Sequence, residues 1–593
     1  MVVVSLAVAT SGCGDGSSGE GPSRQVTFLH FNDLHAHLTP HWDRVRDTSA
    51  ASGERVVRRG GLARLATLIK EQRADAPASV LMNIGDTYHG GVEALYTVGN
   101  AIVAPVDALG IDVGVPGNWD FAFGPSITRR RYTGEVVAGL LPPFAGEVLG
   151  PGFPNLAANV TVILPEERAG EPFLPATMTL DVGGVRVGFI GLTSDIVPMM
   201  FEQLAVGFEF AQGEEAYRAI VDEHAAALRS AGAEIVVVMS ELGIHKDYRL
   251  AQIIAPGAVD VFFSAHTHEV TEVPLSSRSG AIVVEAGNDG YLGRMDVTLR
   301  GGAVVEKRWE LIPITDDIPE DAEMKALVEA ARAPFLAADV DLGLAVPVTA
   351  QRLTEPIDSV VGHAEFALDR RDALESSFND LVTDAFRRSA ETDVAISPGF
   401  RFDAVVAEPG RMLEDNTVAM GEITLEDVYR FFPVSYSMAT GETTVDTIEG
   451  VLENLLANVY SADAFAQGGG WVDGFSGIRA SIDLDGADGD RVRDFAVVSG
   501  DEVLTGSDVV TVTGCIRPLE RPGVLCSHPG FANVAPLINE DSGSAWTPVD
   551  LFIHGLELLA PQPRGDITEL SGRPSWPEAP FVQPLRLTAL TED

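Results

Sequence analysis

Polar side chains able to bind a metal ion follow four apolar segments in the first half of the chain. They are Asn32-Asp33-Leu34-His35 after Val26–His30, Gly85-Asp86 after Val80–Ile84, Gly117-Asn118 after Val113–Val115, and His266-Thr267-His268 after Val259–Phe263. In open α/β sheets, ligands gather beyond the carboxyl ends of the strands, so residues far apart in sequence can converge there. Carboxylate, imidazole and amide oxygen together suit Mn, Zn or Fe. The spacing therefore predicts a metal site at one sheet edge.

The elements that must position these residues alternate between apolar strands and amphipathic helices from Gln25 to about Pro313. The remaining predicted strands are Val185–Ile190, Ile235–Met239 and Ile282–Glu285, and the predicted helices are Gly61–Arg73, Glu214–Ser230 and Tyr248–Ile254. Alternation of this kind predicts an α/β domain.

The second half of the chain has a different order of predicted helices and strands. A charged amphipathic stretch, Pro319–Ala338, predicts a linker helix, and beyond it helices at Ser376–Ser389 and Thr447–Val459 precede strand-like segments. A chain of 593 residues is too long for one core. We therefore predict a signal and tether over residues 1–23, an α/β domain over 24–315, a linker helix over 316–345 and a second domain over 346–593.

The composition is that of a globular protein, with 46% hydrophobic and 21% charged residues. The formal net charge of -45 argues against a nucleic acid polymer as partner, because phosphate backbones are bound by basic surfaces. No interior apolar run is long enough to span a bilayer.

The segment Met1–Cys13 is apolar and ends in small residues and a cysteine. This pattern predicts the tail of an export signal with a bacterial lipoprotein acylation site at Cys13, followed by a flexible tether. A disordered start without function is the alternative. The expected location is the periplasm or cell envelope, with membrane contact only through a lipid at Cys13. In an exported protein, Cys515 and Cys526 could form a disulfide, although two free buried thiols would give the same count.

The four ligand segments, with Gly60-Gly61-Leu62-Ala63-Arg64-Leu65 between the first two, resemble the dinuclear metallophosphoesterase domain of the 5'-nucleotidase family. The resemblance continues into the second half of the chain. It implies a four-layer α/β/β/α metallophosphoesterase sandwich followed by an α+β substrate-binding domain of the 5'-nucleotidase C-terminal type. It also implies two divalent metal ions as cofactors.

The resemblance implies a role for each ligand. One ion would take Asp33, His35, Asp86 and His268, and Asp86 would bridge to a second ion bound also by Asn118 and His266. Two such ions can lower the pKa of a bridging water, so that the resulting hydroxide attacks the substrate, and can clamp the oxygens of a transferred phosphoryl or sulfuryl group.

Two positions depart from the family pattern at the metals. Glu241 stands where the family usually has a histidine ligand, and a carboxylate there can also bind the second ion while adding negative charge. His245 is nearby but wrongly spaced for a simple swap, and we expect a solvent-facing loop histidine.

After Asn118, phosphate-cleaving members have a histidine that assists the leaving oxygen, whereas this chain has Trp119, whose indole offers one weakly acidic donor. The indole can take over neither role of that histidine, so the general acid is absent unless another residue supplies it. We place Trp119 in the catalytic set with Asp86 and Asn118, and the alternative is that it only fills space beside the metals.

In the second domain, the Asn and Asp that read the nucleoside in nucleotide-hydrolysing members are missing. The predicted substrate-binding residues are Phe400, Arg401 and Trp471, with Arg401 supplying an anion-binding guanidinium.

These replacements, with Gly117-Asn118-Trp119-Asp120-Phe121 and Glu453–Asn458, resemble the thiosulfohydrolase branch of the family, part of the bacterial sulfur-oxidation system. That branch removes sulfate from a cysteine S-thiosulfonate on a carrier protein. A sulfur leaving group is weakly basic and needs little help from an acid. We predict an exported dinuclear-metal hydrolase acting on a small-molecule anion or a carrier-protein cysteine arm, favouring S-sulfonate hydrolysis. The alternatives are a nucleotide or nucleotide-sugar phosphohydrolase and a noncatalytic metal- or anion-binding protein.

Overall fold

The computed structural model describes residues 4–6, 23–46, 54–141, 144, 146–337, 353, 355–363, 368–370, 373–398, 405–406, 421–434, 436–461, 463–468, 470–518, 520–558 and 567–571. The chain forms two compact units. The first comprises residues 1–41, 58–89 and 97–332, and the second comprises residues 42–57, 90–96 and 333–593. The second unit thus takes up two short segments that lie within the predicted range 24–315 of the first domain.

The first sheet of the first unit has six strands. In order across the sheet they are Val4–Leu6, Ala303–Pro313, Tyr291–Arg300, Arg24–Asn32, Ser79–Ile84 and Val113–Val115. The last three are parallel to one another, and the other neighbouring pairs are antiparallel.

The second sheet also has six strands. In order they are Leu275–Ser276, Ile282–Glu285, Val261–Ser264, Ile235–Ser240, Val185–Leu192 and Thr177–Val182. The four inner strands are parallel, and the two edge strands are antiparallel to their neighbours. Parallel strands are buried on both faces, which explains their nearly continuous apolar sequences.

The two sheets pack on each other through a shared apolar core. Its members alternate along the strands and include Val26, Phe28, Val80 and Met82 from the first sheet and Val187, Phe189, Val237 and Phe263 from the second. Helices Glu214–Ser230 and Ile244–Ile253 pack on the second sheet. On the first sheet, Arg294 binds Gln72 and Asp75 of helix Leu62–Asp75 at 2.6 and 2.8 Å. The predicted four-layer α/β/β/α sandwich is confirmed.

The predicted linker helix is present over Ala322–Arg332. It packs within the first unit against Leu62–Asp75 and Asn100–Asp107, and Lys70 binds Asp321 at its start at 2.5 Å. Residues 338–345 of the predicted linker lie outside the described residues.

The second unit is a mixture of sheets and helices, as predicted for an α+β domain. Its five-stranded sheet has the order Gly474–Ser476, Val394–Ser397, Val509–Ile516, Ser437–Thr444 and Ala532–Pro536, and its four-stranded sheet has the order Glu502–Leu504, Ala496–Ser499, Ile478–Asp483 and Ile567–Ser571. Its helices are Ser377–Ala390, Leu425–Phe431, Val445–Tyr460 and Pro548–Leu558. Helix Leu425–Phe431 begins with a capping box between Thr424 and Asp427.

Shorter elements complete the described chain. The helices are Val92–Thr97, Pro125–Thr133 and Val197–Met200, and the strands are His41–Arg46, Glu54–Arg59, Val160–Val162, Phe208–Phe210, Val360–His363, Leu368–Asp369, Val405–Val406, Glu422–Thr424, Val524–Leu525 and His528–Pro529. Among the described residues, no helix is both long and apolar enough to cross a membrane. Cys515 and Cys526 are buried free thiols with their sulfur atoms 3.0 Å apart, so the possible disulfide is not formed.

Candidate metal centre

The predicted ligand segments meet because their strands are parallel and end level with one another. In the first sheet Asn32 pairs with Ile84 and Ile84 pairs with Val115, and in the second sheet Ser240 pairs with Ser264. Each ligand loop begins within a few residues of these positions. Backbone hydrogen bonds then join two of the loops, from His35 N to Asp86 O at 2.7 Å and from Ala36 N to Thr87 O at 3.0 Å.

The first set of ligands, here called the Asp33 group, consists of Asp33, His35 and His268. One ligand atom from each lies within 4.8 Å of the others. His35 Nε2 and His268 Nε2 are 3.0 Å apart, and they lie 3.6 and 3.3 Å from Asp33 Oδ1. All three residues are buried.

The second set, here called the Glu241 group, consists of Asp86, Glu241 and His266, again with ligand atoms within 4.8 Å of one another. His266 Nδ1 lies 3.8 Å from Glu241 Oε1, and Asp86 Oδ2 lies 3.7 Å from His35 Nε2 of the Asp33 group. Asp86 therefore belongs to the Glu241 group and also approaches His35 of the Asp33 group. Glu241 reaches this position only because residue 85 is glycine, since a Cβ there would be 2.4 Å from the Glu241 carboxyl carbon.

Asn118 and Trp119 follow strand Val113–Val115 and lie against Asp86. Trp119 N donates to Asp86 Oδ1 at 2.7 Å, and a Cβ on Gly117 would lie 2.2 Å from the same oxygen. The Asn118 amide nitrogen donates to Met200 Sδ at 3.1 Å. The half-buried Trp119 ring stacks on His89 with centroids 4.9 Å apart.

Asp120 holds the two loops together and was not recognised from the sequence. Its Oδ1 accepts from Thr87 N at 3.1 Å and Tyr88 N at 2.9 Å, and its Oδ2 accepts from Gly117 N at 2.9 Å. The acidic residue within Gly-Asn-Trp-Asp-Phe was the available signal, because a buried carboxylate next to ligand loops commonly accepts from backbone N–H groups.

Several predicted ligands have a positive φ angle, a backbone conformation that residues other than glycine rarely adopt. The positive φ angles are 50° at Asp33, 48° at His35, 44° at Asp86, 78° at His266 and 55° at His268. Such conformations cost about 1–3 kcal/mol each and concentrate at functional sites. The fold therefore holds these residues in place against their own backbone preferences.

Buried negative charge dominates the electrostatics. Burial, and then the Asp33 carboxylate, raises the pKa of Asp86 well above its usual value, and burial followed by the charges of Asp33 and Asp86 does the same for the pKa of Glu241. Burial lowers the pKa of His266 to about 4, so its imidazole is neutral at pH 7. For Asp33, burial opposes ionisation, but His268, Asn32 and His266 together hold its pKa below the usual value.

The residues present fit divalent metal ions. Within the described chain, no hydrogen-bond donor satisfies Asp33 Oδ1, Asn118 Oδ1 or either carboxyl oxygen of Glu241, although all are buried. Unpaired buried oxygens are costly unless a cation binds them. Imidazole nitrogens and carboxylate oxygens are donors that suit borderline divalent metals.

Two family models match the chain. The model for calcineurin-like phosphoesterases matches residues 26–270, and the model for the 5'-nucleotidase C-terminal domain matches residues 354–513. The chain therefore combines a calcineurin-like phosphoesterase domain with a 5'-nucleotidase C-terminal domain. Metallophosphoesterase and 5'-nucleotidase homologues are hydrolases, and calcineurin-like phosphoesterases use divalent metals, in agreement with the ligand groups above.

Two curated relatives align with this chain over only part of their own length. The trifunctional nucleotide phosphoesterase protein YfkN of Bacillus subtilis is 23% identical over 516 residues, covering 82% of this chain and 31% of the relative. The snake venom 5'-nucleotidase of Naja atra is 28% identical over 323 residues, covering 51% of this chain and 56% of the relative.

Solved structures resemble the chain over nearly its whole length. The sulfate thiohydrolase SoxB of Thermus thermophilus superimposes with a TM-score of 0.71 at 22% identity, covering 93% of this chain and 98% of the other. A 5'-nucleotidase precursor of the same species superimposes with a TM-score of 0.70 at 21% identity, covering 93% and 100%. At such identities the likeness concerns the fold.

The remaining predicted residues have different outcomes. Phe400 and Arg401 lie outside the described residues, so their role as substrate-binding residues stays a prediction. Trp471 is half-buried and packs on the apolar core of the second unit. The expectation of a solvent-facing His245 was wrong, because helix Ile244–Ile253 buries this residue in its first turn. Burial lowers the pKa of His245 well below its usual value.

Proposed function

We propose that this 5'-nucleotidase-family hydrolase is an exported dinuclear-metal enzyme that cleaves an anionic substrate with a sulfur leaving group, as in a cysteine S-sulfonate. The observation that carries the proposal is Trp119. It occupies the position after Asn118, contacts Asp86 through its backbone and stacks on His89 through its ring. An indole cannot protonate an alkoxide, whereas a thiolate, with an ordinary pKa of about 8.5, leaves without protonation.

The roles of the chain's own residues follow from their contacts. When bound, divalent ions activate water and neutralise the charge of the oxyanion. Asp33, His35 and His268 would hold one ion, and Glu241, His266 and Asn118 the other, with Asp86 between them. Asp120 keeps the Asp86 and Asn118 loops in register through three backbone hydrogen bonds. Trp119 N donates to Asp86 Oδ1 and so helps to orient this carboxylate.

A nucleotide phosphohydrolase is the second candidate. It is favoured by the names of relatives such as the Naja atra 5'-nucleotidase and by the 5'-nucleotidase precursor fold. In that case an acid from elsewhere would serve the ester oxygen, and Phe400, Arg401 and Trp471 would supply the anion and stacking contacts.

A side-by-side assay tests the proposal. Purified protein loaded with Mn or Zn is given AMP, UDP-glucose and a peptide carrying a cysteine S-thiosulfonate, and kcat/KM is compared. The S-thiosulfonate peptide is expected to be the best substrate. A higher kcat/KM for AMP would favour the nucleotidase, and absence of turnover with a fully loaded metal centre would favour a noncatalytic binding protein.

The Trp119→His variant examines the missing acid. It is expected to raise kcat/KM for AMP by about 10²-fold, the lower end of the usual contribution of general acid catalysis, and to leave S-thiosulfonate cleavage nearly unchanged. Trp119→Phe is the matched control, since it keeps an aromatic ring without adding an acid. Equal AMP rates in the two variants would count against the role assigned to Trp119.

Export forms part of the proposal and rests on the Met1–Cys13 pattern, which is largely outside the described residues. Radiolabelled palmitate should be incorporated into the wild-type chain in a bacterial host and not into Cys13→Ser. Equal labelling of the two would remove the lipid anchor from the proposal.

A further inference from the structure

A second cluster of potential metal ligands lies in the first unit, next to the dinuclear centre. It consists of His37, His41 and Asp289, each at most 5% exposed, with one ligand atom from each within 4.8 Å of the others. His37 lies in the loop after strand Arg24–Asn32, His41 begins strand His41–Arg46, and Asp289 comes from the turn before strand Tyr291–Arg300. None of the three belongs to the Asp33 or Glu241 group.

The contact between His37 and Asp289 is longer than an ordinary hydrogen bond, whereas His41 Nε2 lies 2.9 Å from Asp289 Oδ2. His41 Nε2 lies 3.0 Å from Asp289 Oδ1, and His37 Nδ1 lies 3.4 Å from the same oxygen. A tetrahedral site with metal–ligand bonds of about 2.0–2.1 Å places its ligand atoms about 3.3 Å apart. A hydrogen bond between nitrogen and oxygen is ordinarily about 2.9 Å, so the His37 distance is long for one.

His37 also has a donor atom to spare. Among the described residues neither its Nδ1, which faces Asp289, nor its Nε2 has a hydrogen-bond partner, although the side chain is buried. An unsatisfied buried imidazole nitrogen costs free energy that coordination of a metal by this ring would offset. The two imidazoles and one carboxylate form the ligand set of zinc sites that keep a fourth position for water.

The backbone around the cluster is shaped to enclose Asp289. Gly60 has a φ of 79°, and a Cβ at this position would lie 2.8 Å from Asp289 Oδ2. Gly61, with a φ of 89°, approaches Pro40, where a Cβ would lie 2.7 Å from the ring. The two glycines thus allow the backbone at residues 60–61 to lie close both to Asp289 and to Pro40, which precedes His41.

We propose that His37, His41 and Asp289 bind a third divalent metal ion, with zinc as the best match. The ring of His37 lies 6.4 Å from that of His35, so this ion would stiffen the loop that presents His35 to the dinuclear centre. A water molecule would complete its coordination, and the role we assign to the ion is to position the loop that presents His35.

The test is the metal content of the full-length chain. Protein dialysed against Zn is analysed by inductively coupled plasma mass spectrometry, comparing wild type with Asp289→Asn and His41→Asn. Each variant is expected to lose about one zinc ion per chain. The matched control is His30→Phe, which removes a buried imidazole that packs on Phe263 and Trp309, outside every ligand cluster, and should lose none.

The Asp86→Asn variant separates this proposal from the dinuclear one, because it should lose zinc from the dinuclear centre and retain the third ion. Equal zinc content in wild type and Asp289→Asn would overturn the third site without touching the dinuclear centre. If the variants fail to fold, anomalous diffraction from wild-type crystals at the zinc edge decides. A peak in contact with His37, His41 and Asp289 supports the proposal, and peaks confined to the dinuclear centre overturn it.

Discussion

The Asp33 group and the Glu241 group have similar compositions and opposite electrostatics. Asp33 Oδ2 accepts hydrogen bonds from the Asn32 amide at 2.7 Å and from His266 N at 2.9 Å, and its pKa lies below the usual value despite burial. Glu241 receives no hydrogen bond among the described residues, and burial raises its pKa well above the usual value. The protein therefore stabilises the ionised form of the first group by itself, whereas the second group depends on a cation.

The difference arises from the strands that present the two groups. The Asp33 loop is flanked by Asn32, whose Oδ1 accepts from Ala286 N at 3.2 Å while its amide also donates to Gly287 O at 2.7 Å. The Glu241 carboxylate instead faces Gly85 and the acidic residues beyond it. A carboxylate at position 241 adds a negative charge where the family usually has a neutral imidazole, so the second ion should be held tightly and be less electrophilic.

Replacing Asp86, which belongs to the Glu241 group and approaches His35 of the Asp33 group, should give the largest effect. Asp86→Asn is expected to lower kcat/KM on the best substrate by on the order of 10³-fold, because metal ions contribute several kcal/mol of charge stabilisation. Metal content measured on the same sample should fall at the dinuclear centre. The matched control is Asp112→Asn, which changes a carboxylate at the opposite end of the same sheet, where it binds Leu81 N and Arg73. Activity within about tenfold of wild type in Asp86→Asn would remove Asp86 from the centre.

Removing the hydrogen bonds through which Asp120 joins the Asp86 and Asn118 loops should give a smaller effect. Asp120→Asn replaces one acceptor by a donor facing a backbone N–H, so the loops of Asp86 and Asn118 lose their common partner. Metal affinity, measured by isothermal titration, is expected to fall about 10–100-fold, the usual range for groups that orient metal ligands. If the Glu241 group depends on its cation, Asp120→Asn should weaken only one of the two metal-binding steps of the dinuclear centre. Equal weakening of both steps would break the contrast between the groups.

The fold and the clustering of most predicted ligand side chains could be predicted from the sequence because they depend on local patterns. Buried parallel strands such as Ile235–Ser240 appear as continuous apolar runs, and helix Glu214–Ser230 has the bounds that its periodicity predicts. The ligand segments follow these strands directly. Short segments that leave one unit for the other, such as residues 42–57, carry no such pattern, so the boundaries drawn along the sequence missed them.

The residues that were missed act through tertiary contacts. Asp120, the pair His89 and Trp119, and the cluster of His37, His41 and Asp289 come together only when loops from different strands pack. The burial of His245 has the same origin, since it follows from the packing of helix Ile244–Ile253 and not from the composition of its turn. Sequence spacing identifies ligands at strand ends, but not the side chains that hold those ends together.

The smallest effect we predict is a pH dependence of stability that has opposite signs in the two groups. In metal-free protein, native Glu241 keeps a proton that the unfolded chain releases above a pKa of about 4.5. Its stabilising contribution is therefore complete below that value and is lost as the pH rises toward the raised native pKa, by up to about 1.4 kcal/mol per pH unit. Asp33, with a lowered pKa, loses its contribution only as the pH falls below about 3.8.

Urea unfolding in EDTA between about pH 6.5 and 8 measures this contrast, because His266, with a native pKa of about 4, is neutral throughout that range in the native state. The free energy of unfolding should fall with rising pH in wild type and fall less steeply in Glu241→Gln. Asp33→Asn, the matched control, should retain the decline, since Asp33 is ionised in both states above pH 6.5. Saturating Mn should make the decline shallower, because a bound cation favours the ionised carboxylates, while the buried carboxyls of Asp247 and Glu285, whose pKa values are also raised, keep part of it. A decline that is equally steep in wild type and Glu241→Gln would show that the fold itself stabilises the negative charge of Glu241. The two groups would then differ in geometry alone.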